Sequence, residues 1–523
     1  MSWRRVALAS GSLAAATPPA WFPGAEWLVL VGLAAFYSLA AGRGAYRSAY
    51  LVGCVHMAAF SFSLRHVFWS GYVATALLGA VYYVLTIGWT RALCRRVGGP
   101  VAFGLATAGT AWLRANMPEV PYPHGQVGHA LWQWPLLLGP VQAGGECLQN
   151  ALVAALAAAL VDLFRAWRVA TPTPAAAVTM RAGIVLVWAA TSLVFLGYES
   201  APGRLGILAV EPGLMPRFQH GPGYAQVLHE RLVEPTERAC AEQAPALVLW
   251  PESTYPAAVL EDGGQVRLAP GPLPLRLPAH TRLLAGTEAR SAAGAEYAIG
   301  LLLDATARPL GWYEKRKLVP AGERVPFLGL LPASWREAVL RQITATMGGA
   351  PDLAVGRPRA LLAAGPSGPA VGTLLCYDNA FPGPAREHVR AGAQVLVVLS
   401  NEAWYHGGAE LDQLLAMTVF RALETRTPVV RCTVDGLSAH VTRTGRVAAI
   451  LPAGASRERA QILRAEVELG PGRELPLAWL HDLCLVLVLG SSLVLVPHSV
   501  RSWARLPSAR SPRPGHKPPE HSA

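Results

Sequence analysis

Residues 373–382 read Thr373-Leu-Leu-Cys-Tyr-Asp-Asn-Ala-Phe-Pro382. An apolar run ends in a cysteine, and the chain then turns polar. A buried strand that delivers one side chain to the rim of a sheet has this pattern. Residues 205–210, 245–250, 281–286, 370–376 and 394–400 all read as buried strands, and helical patterns lie between several of them, as at 224–243 and 411–425. Strand–helix alternation indicates an α/β layered domain, in which chemistry gathers at the carboxyl ends of strands. Cys376 is therefore the candidate nucleophile.

The chain is 523 residues long, too many for one ordinary domain. It is 52% hydrophobic and 15% charged, against about 25% charged in a soluble protein. Much of it is expected to sit in lipid. Apolar segments fall at about 3–22, 25–41, 49–64, 70–90, 100–115, 143–164 and 181–198, with a last one at 475–497. Arg4-Arg5 followed by Ala14–Ala16 also fits a signal peptide, but the apolar segments that come at once favour a first membrane helix.

The net charge of +12 comes from arginine crowded at segment ends, which is a topology signal rather than a nucleic-acid one. Arg4, Arg5, Arg43, Arg47, Arg91, Arg95, Arg96, Arg165, Arg168 and Arg181, with the tail arginines from Arg501 onward, all fall on one side if seven segments precede the central domain and one follows. Both ends are then cytoplasmic and the central domain faces outward. The expected division is 1–200 as a transmembrane region, 201–474 as a catalytic domain, 475–497 as a last transmembrane helix and 498–523 as a disordered tail rich in Pro, Ser and Arg.

Loop 116–142 has no Lys or Arg, several prolines, and Trp132 and Trp134. It reads either as a re-entrant floor beneath an outward site or as an aromatic interface loop. His56, His124 and His129 lack ligand spacing and read as structural. The seven cysteines include no CxxC pair, so no metal or redox motif is supported. A Cys240–Cys432 disulfide is compatible with an outward domain.

Three strand exits carry reactive residues. In Val248-Leu-Trp-Pro-Glu252, Pro251 stops the strand and Glu252 lands at the rim. The second exit is Tyr313-Glu-Lys-Arg-Lys-Leu-Val-Pro-Ala-Gly-Glu323, in a chain with only three lysines, Lys315, Lys317 and Lys517. The third is the cysteine strand. A thiol needs a base to take its proton or a cation to stabilise its thiolate. A carboxylate can be that base, and a lysine can stabilise a developing oxyanion. Taken singly, Glu252, Lys315 and Cys376 each also have an ordinary structural reading.

Trp250-Pro-Glu-Ser253, Tyr313-x-Lys-x-x-Leu-Val-Pro-x-Gly-Glu323, Cys376-Tyr-Asp378 and Ser400-Asn-Glu-Ala-Trp404, followed by Phe420–Glu424 and Val434–Ser438, resemble the nitrilase superfamily. With flanking membrane segments, and with Trp112-Leu-Arg114 and Trp134–Gly139 in the membrane part, the chain resembles the apolipoprotein N-acyltransferase family. The resemblance implies an α-β-β-α sandwich carried on a bundle of about eight transmembrane helices in the bacterial inner membrane, catalytic domain on the periplasmic side. It implies acyl transfer from a phospholipid to a diacylated lipoprotein through a Cys376 thioester. Glu252 would be the base and Lys315 the oxyanion stabiliser. Glu323, Tyr377, Asp378, Ser400, Asn401 and Trp404 would support them. No cofactor, metal or nucleic acid is implied, and a monomer is expected.

Residues 328–356, with Trp335, Met347 and Gly348-Gly349, fall where the family has a lid. The family pattern has Glu where Asp378 stands, Asp at Glu402, Phe at Ala321, Gln at Glu211 and Asn at Ala298. Competing readings are a membrane-tethered amidase using water as acceptor and a non-catalytic membrane paralogue.

Overall fold

The computed structural model describes residues 2–169, 175–194, 200–214, 223–256, 258–261, 265–268, 275–347, 352–358, 360–365, 368–474 and 478–492. The tail at 498–523 and the Gly348-Gly349 pair lie outside the described residues.

The N-terminal part is a helical bundle: α1 (Trp3–Ala16), α2 (Leu28–Leu39), α3 (Ala45–Phe60), the short α4 (Leu64–Val67), α5 (Trp69–Val97), α6 (Gly99–Ala115), α7 (Gly139–Val169) and α8 (Ala175–Val194). Each apolar segment of the sequence has a helix at its place. Among the described residues, three stretches, Trp69–Val97, Gly139–Val169 and Ala175–Leu193, are long and apolar enough to cross a membrane. Length and composition alone thus support three of the about eight expected spanning helices. Helices α1, α2, α3 and α6 have 14, 12, 16 and 17 residues, short of the roughly 20 that a bilayer core requires. The described part of the last apolar segment, α14 (Trp479–Ser492), has 14. Arg91 donates to the carbonyls of Ala40 and Gly42. This brings the arginine-bearing turn between α2 and α3 together with the end of α5.

The central part is a four-layer sandwich. The first sheet is ordered β14-β1-β2-β5-β3-β4. Its strands are β1 (Arg204–Glu211), β2 (Leu247–Trp250), β3 (Ala258–Glu261), β4 (Gln265–Leu268), β5 (Arg282–Ser291) and β14 (Gln461–Glu468), with β6 (Glu296–Leu303) and β7 (Pro309–Glu314) continuing from β5. The second sheet is ordered β13-β12-β11-β10-β9-β8. It holds β8 (Leu362–Ala363), β9 (Ala370–Leu375), β10 (Val395–Ser400), β11 (Val429–Thr433), β12 (Ala439–Val441) and β13 (Val447–Ile450).

Strands β1, β2 and β5 run parallel, as do β9, β10 and β11. Their central residues are buried, which accounts for the apolar runs at Leu247–Trp250, Val395–Ser400 and the middle of β1, β5 and β9. Between the sheets lie Ile207, Leu249, Leu375, Val397 and Cys432. The helical stretch α9 (Tyr224–Leu228) to α10 (Glu234–Glu242) covers the outer face of the first sheet. Helices α12 (Pro382–Arg390) and α13 (Glu410–Thr425) cover the second. Helix α11 (Ala333–Met347), in the expected lid stretch, lies on the surface with Trp335 exposed.

Cys240 packs on the outer face of the first sheet and Cys432 lies between the sheets. Both are free. The sheet separates them, so the disulfide compatible with the sequence does not form. The Cys432 thiol instead donates to the carbonyls of Val210 and Leu249.

Helix α13 is a wedge between the second sheet and the bundle, and 15 of its 16 residues are buried. Val419 and Phe420 share one apolar core with Leu396 and Val398 of β10 and with Leu131, Val141 and Val153 of the bundle. Polar contacts fix the register of that seam. Gly144 and Gly145 leave helical geometry inside α7, Gly145 at φ 67°. The break frees the Glu146 N–H, which donates to Glu424 across the seam. Arg421 donates to the Glu146 carboxylate and pairs electrostatically with Glu424 at 2.8 Å, and Glu146 also accepts from Gln126 and faces His129 at 3.3 Å. Arg421→Leu keeps the volume but leaves two carboxylates facing each other without a cation. It should destabilise the protein by about 3–5 kcal/mol, read as a lowered midpoint of thermal unfolding in detergent. An unchanged midpoint would show that the seam is held by apolar packing alone.

Candidate active site

Glu252, Lys315 and Cys376 come from three different strand exits and meet at one rim. Strand β2 ends at Trp250, and Pro251 turns the chain so that Glu252 leaves the sheet. Strand β5 must pass close beneath this turn. A Cβ on Gly286 would stand 2.4 Å from Glu252 Cα and 2.6 Å from the Pro251 carbonyl oxygen, so only glycine fits. The Gly286 carbonyl accepts from the N–H groups of Thr254 and Tyr255.

Lys315 follows β7. Its N–H donates to the Ala298 carbonyl and its carbonyl accepts from Gly356 N–H, which fixes its backbone on both sides. The Ala298 side chain, where the family pattern has Asn, is buried and adds no hydrogen bond.

Cys376 opens a 3-10 turn, Cys376–Ala380, directly after β9. Its φ is 44°, in the left-handed region that a non-glycine residue enters at a cost of about 1–3 kcal/mol. Asp378 holds this turn. Its Oδ2 accepts from Tyr313 Oη at 2.9 Å and from Leu375 N at 3.2 Å. Its Oδ1 accepts from Lys317 N at 2.8 Å and Arg316 N at 3.2 Å. One short carboxylate therefore ties the cysteine turn to the lysine segment. The aspartate, one methylene shorter than the family pattern, keeps both oxygens occupied.

The Lys315 ammonium is buried between two carboxylates. It donates to Glu252 Oε1 at 2.8 Å and to Glu323 Oε1. Glu323 Oε2 accepts from Val319 N–H at 2.9 Å, and Glu252 Oε2 from Asn401 N–H at 3.1 Å. Burial alone would lower the Lys315 pKa, but the Glu252 and Glu323 charges hold it well above the ordinary lysine range. Burial raises the Glu323 pKa, against the pull of Lys315. The Cys376 thiol is also pushed up, first by burial and then by the Glu252 charge. Lys315 and a hydrogen bond with Ser400 oppose this. At neutral pH the arrangement is a neutral thiol beside a carboxylate that can take its proton and a fixed cation that can face an oxyanion.

The remaining expected residues divide. Glu323, Asp378, Ser400 and Asn401 join the site as described. Tyr377 turns away from it: its hydroxyl donates to the Pro121 carbonyl of loop 116–142 at 2.8 Å, and its ring stacks on His124 at 6.0 Å. Trp404 is 40% exposed at the rim, and no hydrogen bond joins it to the three central residues among the described ones. Ala321 adopts φ 63° in the turn that carries Glu323. Glu402 accepts from Arg431 and from Leu437 N–H, beneath the site.

Three features were not assigned from the sequence. Tyr313 stood in a quoted motif, but its hydroxyl bond to Asp378 had no local signal. Arg431 pairs with Glu402 across the second sheet, a separation no periodicity reveals. Glu146 did carry a signal, an acid inside an apolar segment, which in a membrane protein is a functional or structural flag.

Residues 279–476 match the family model described as carbon-nitrogen hydrolase, and residues 9–159 match the apolipoprotein N-acyltransferase N-terminal domain. The apolipoprotein N-acyltransferase of Geobacter metallireducens is 26% identical over 380 residues, covering 71% of this chain and 69% of the relative. That of Brucella suis is 28% identical over 417 residues, covering 77% and 74%. That of Gloeobacter violaceus is 33% identical over 204 residues, covering 39% and 34%. Among solved structures, a Saccharomyces cerevisiae member of branch 10 of the nitrilase superfamily aligns with 60% of this chain and 99% of its own at a TM-score of 0.36 and 16% identity. A match to the apolipoprotein N-acyltransferase N-terminal domain followed, in the same chain, by a match to carbon-nitrogen hydrolase makes this protein similar to apolipoprotein N-acyltransferases over most of its length.

Proposed function

We propose that this protein N-acylates lipoproteins in a membrane, using a phospholipid as acyl donor and Cys376 as nucleophile. Glu252 takes the thiol proton as Cys376 Sγ attacks the sn-1 ester carbonyl. The Lys315 ammonium stabilises the oxyanion. The tetrahedral intermediate collapses with the proton returned from Glu252 to the departing lysophospholipid oxygen, leaving a thioester. The free α-amine of a diacylglyceryl-cysteine then attacks the thioester. Glu252 accepts the amine proton and passes it to the departing thiolate, which restores the starting state. Glu323 holds Lys315 in line, and Asp378 holds the cysteine turn.

The observation that carries this reading is the contact of Tyr377 with loop 116–142. The residue after the nucleophile is bonded to a loop of the helical bundle, so that loop floors the reactive site. This favours the re-entrant floor over a plain interface loop. A water-using amidase has no need of such a floor, whereas two lipid substrates must both reach the thiol from the bilayer. The division at 1–200, 201–474, 475–497 and 498–523 goes with this reading. The bundle lies in the inner membrane with its arginine-bearing turns in the cytoplasm and the reactive rim on the periplasmic side. The protein acts as a monomer.

Incubation of the purified protein with phospholipid should add one acyl chain to Cys376, seen by intact-protein mass spectrometry and released by neutral hydroxylamine. Cys376→Ser should abolish the thioester while leaving insertion intact, and Glu252→Gln should slow acylation by about 10²–10⁴-fold. A hydroxylamine-labile adduct on Cys376→Ser would show that the nucleophile is another residue. The raised thiol pKa sets a pH dependence. The protonated form persists above the ordinary thiol value, so alkylation of Cys376 by iodoacetamide should keep rising with pH through about 8.5. A plateau below that value would contradict a neutral resting thiol.

A further inference from the structure

Arg114 is a buried cation without a counter-ion among the described residues. It lies in the last turn of α6 and is 5% exposed. Its Nη2 donates to the His124 carbonyl, its Nη1 rests on the Met57 sulfur at 3.5 Å, and its guanidinium lies 5.6 Å from the Phe60 ring centroid. Its Nε has no partner. Arg421 and Arg431, also buried, each meet a carboxylate. None bonds to Arg114 among the described residues. A cation placed in this way within a membrane bundle is costly unless an anion joins it, and such residues mark ligand sites.

Arg114 also lines a cavity. Tyr82, Thr107 and Gln126 share the lining, and the Thr107 hydroxyl is a second buried group without a partner. Leu13, Leu33 and Phe36 make part of the wall apolar. The cavity reaches the active-site floor. Gly125 and Val127 line it, and the neighbouring His124 stacks on Tyr377, next to Cys376. An anion here would have charge-assisted donors on one side and apolar wall on the other. That combination suits the phosphate of a lipid better than a free ion.

We propose that Arg114, helped by Thr107, binds the phosphate of the glycerophospholipid acyl donor and so sets the sn-1 ester over Cys376. The inference rests on the reading of a phospholipid as donor. A diacylglycerol carries the same ester without the phosphate, so the pair of donors isolates the contact.

Single-turnover thioester formation in the full-length protein should be faster from phosphatidylglycerol than from diacylglycerol of the same chains by about tenfold or more. Arg114→Met should bring that ratio towards one. Arg114→Lys, which keeps the charge but loses the planar fork, should retain part of the preference and carries the same comparison if the methionine variant does not insert. Equal slowing of both donors would overturn the proposal, because a purely structural tie to His124 acts on every donor alike. An unchanged ratio would overturn it as well.

The two sources of phosphate separate in Cys376→Ala. An ether-linked phosphatidylglycerol should raise its thermal midpoint, and inorganic phosphate should not. A rise with inorganic phosphate and none with the ether lipid would overturn the lipid assignment. If the wild-type protein forms no thioester with either donor, the acyl-transfer reading fails, and the ether-lipid measurement with and without Arg114→Lys still decides this site.

Discussion

A lysine ammonium buried between two carboxylates is the constraint on which the catalytic part of this protein depends. Lys315 is 1% exposed and Glu252 6%. An ammonium can remain at that depth only if its partners are fixed, since losing either leaves an uncompensated charge. The backbone meets this demand from several directions. Ala298 and Gly356 clamp Lys315, Val319 N–H holds Glu323, and Asn401 N–H holds Glu252. Gly286 lets β5 pass beneath the turn that carries Glu252. The strained cysteine turn is tied to the same segment through Asp378. The site is therefore preorganised: the cation and its two carboxylates are already fixed in place, so little reorganisation is required as charge develops.

The second constraint is the docking of this rim on the bundle. Helix α13 is buried on nearly all sides because it packs against the second sheet and the bundle at once. Apolar packing is tolerant of small slips, whereas the Arg421, Glu146 and Glu424 network has one good register. The glycine break in α7 supplies the Glu146 N–H that this register requires. The same seam carries loop 116–142 under Cys376. Stability of the seam and placement of Cys376 against the helical bundle are thus one mechanical problem.

Much of this was legible in the sequence because the relevant signals are local. A strand that ends in Trp-Pro-Glu, and another that ends in Cys-Tyr-Asp, announce their rim residues by the switch from apolar to polar. The rarity of lysine drew attention to Lys315. The number of membrane-crossing helices was less legible. Segments such as 49–64 and 100–115 are apolar enough to be noticed, but their helices have 16 and 17 residues. Long-range pairings were not legible at all. Glu146 and Arg421 are 275 residues apart, and Glu402, just past the end of β10, pairs with Arg431 of β11 in a sheet whose order the sequence does not state. Cys240 and Cys432 looked available to each other only because the sheet between them is invisible in one dimension. Tyr377 was expected to support the cysteine, and no local signal showed that its hydroxyl would reach Pro121 of loop 116–142, a direction set by the 3-10 turn that Asp378 holds.

The central claim is that this rim transfers an acyl chain to a lipoprotein amine. It is tested most directly by expressing the protein in a bacterium depleted of its own N-acyltransferase and analysing lipoprotein N-termini by mass spectrometry. Triacylated N-termini with the wild-type protein, and diacylated ones with Cys376→Ser at equal membrane abundance, are the predicted result. Lipoproteins that remain diacylated despite stable membrane expression of the wild-type protein would contradict it.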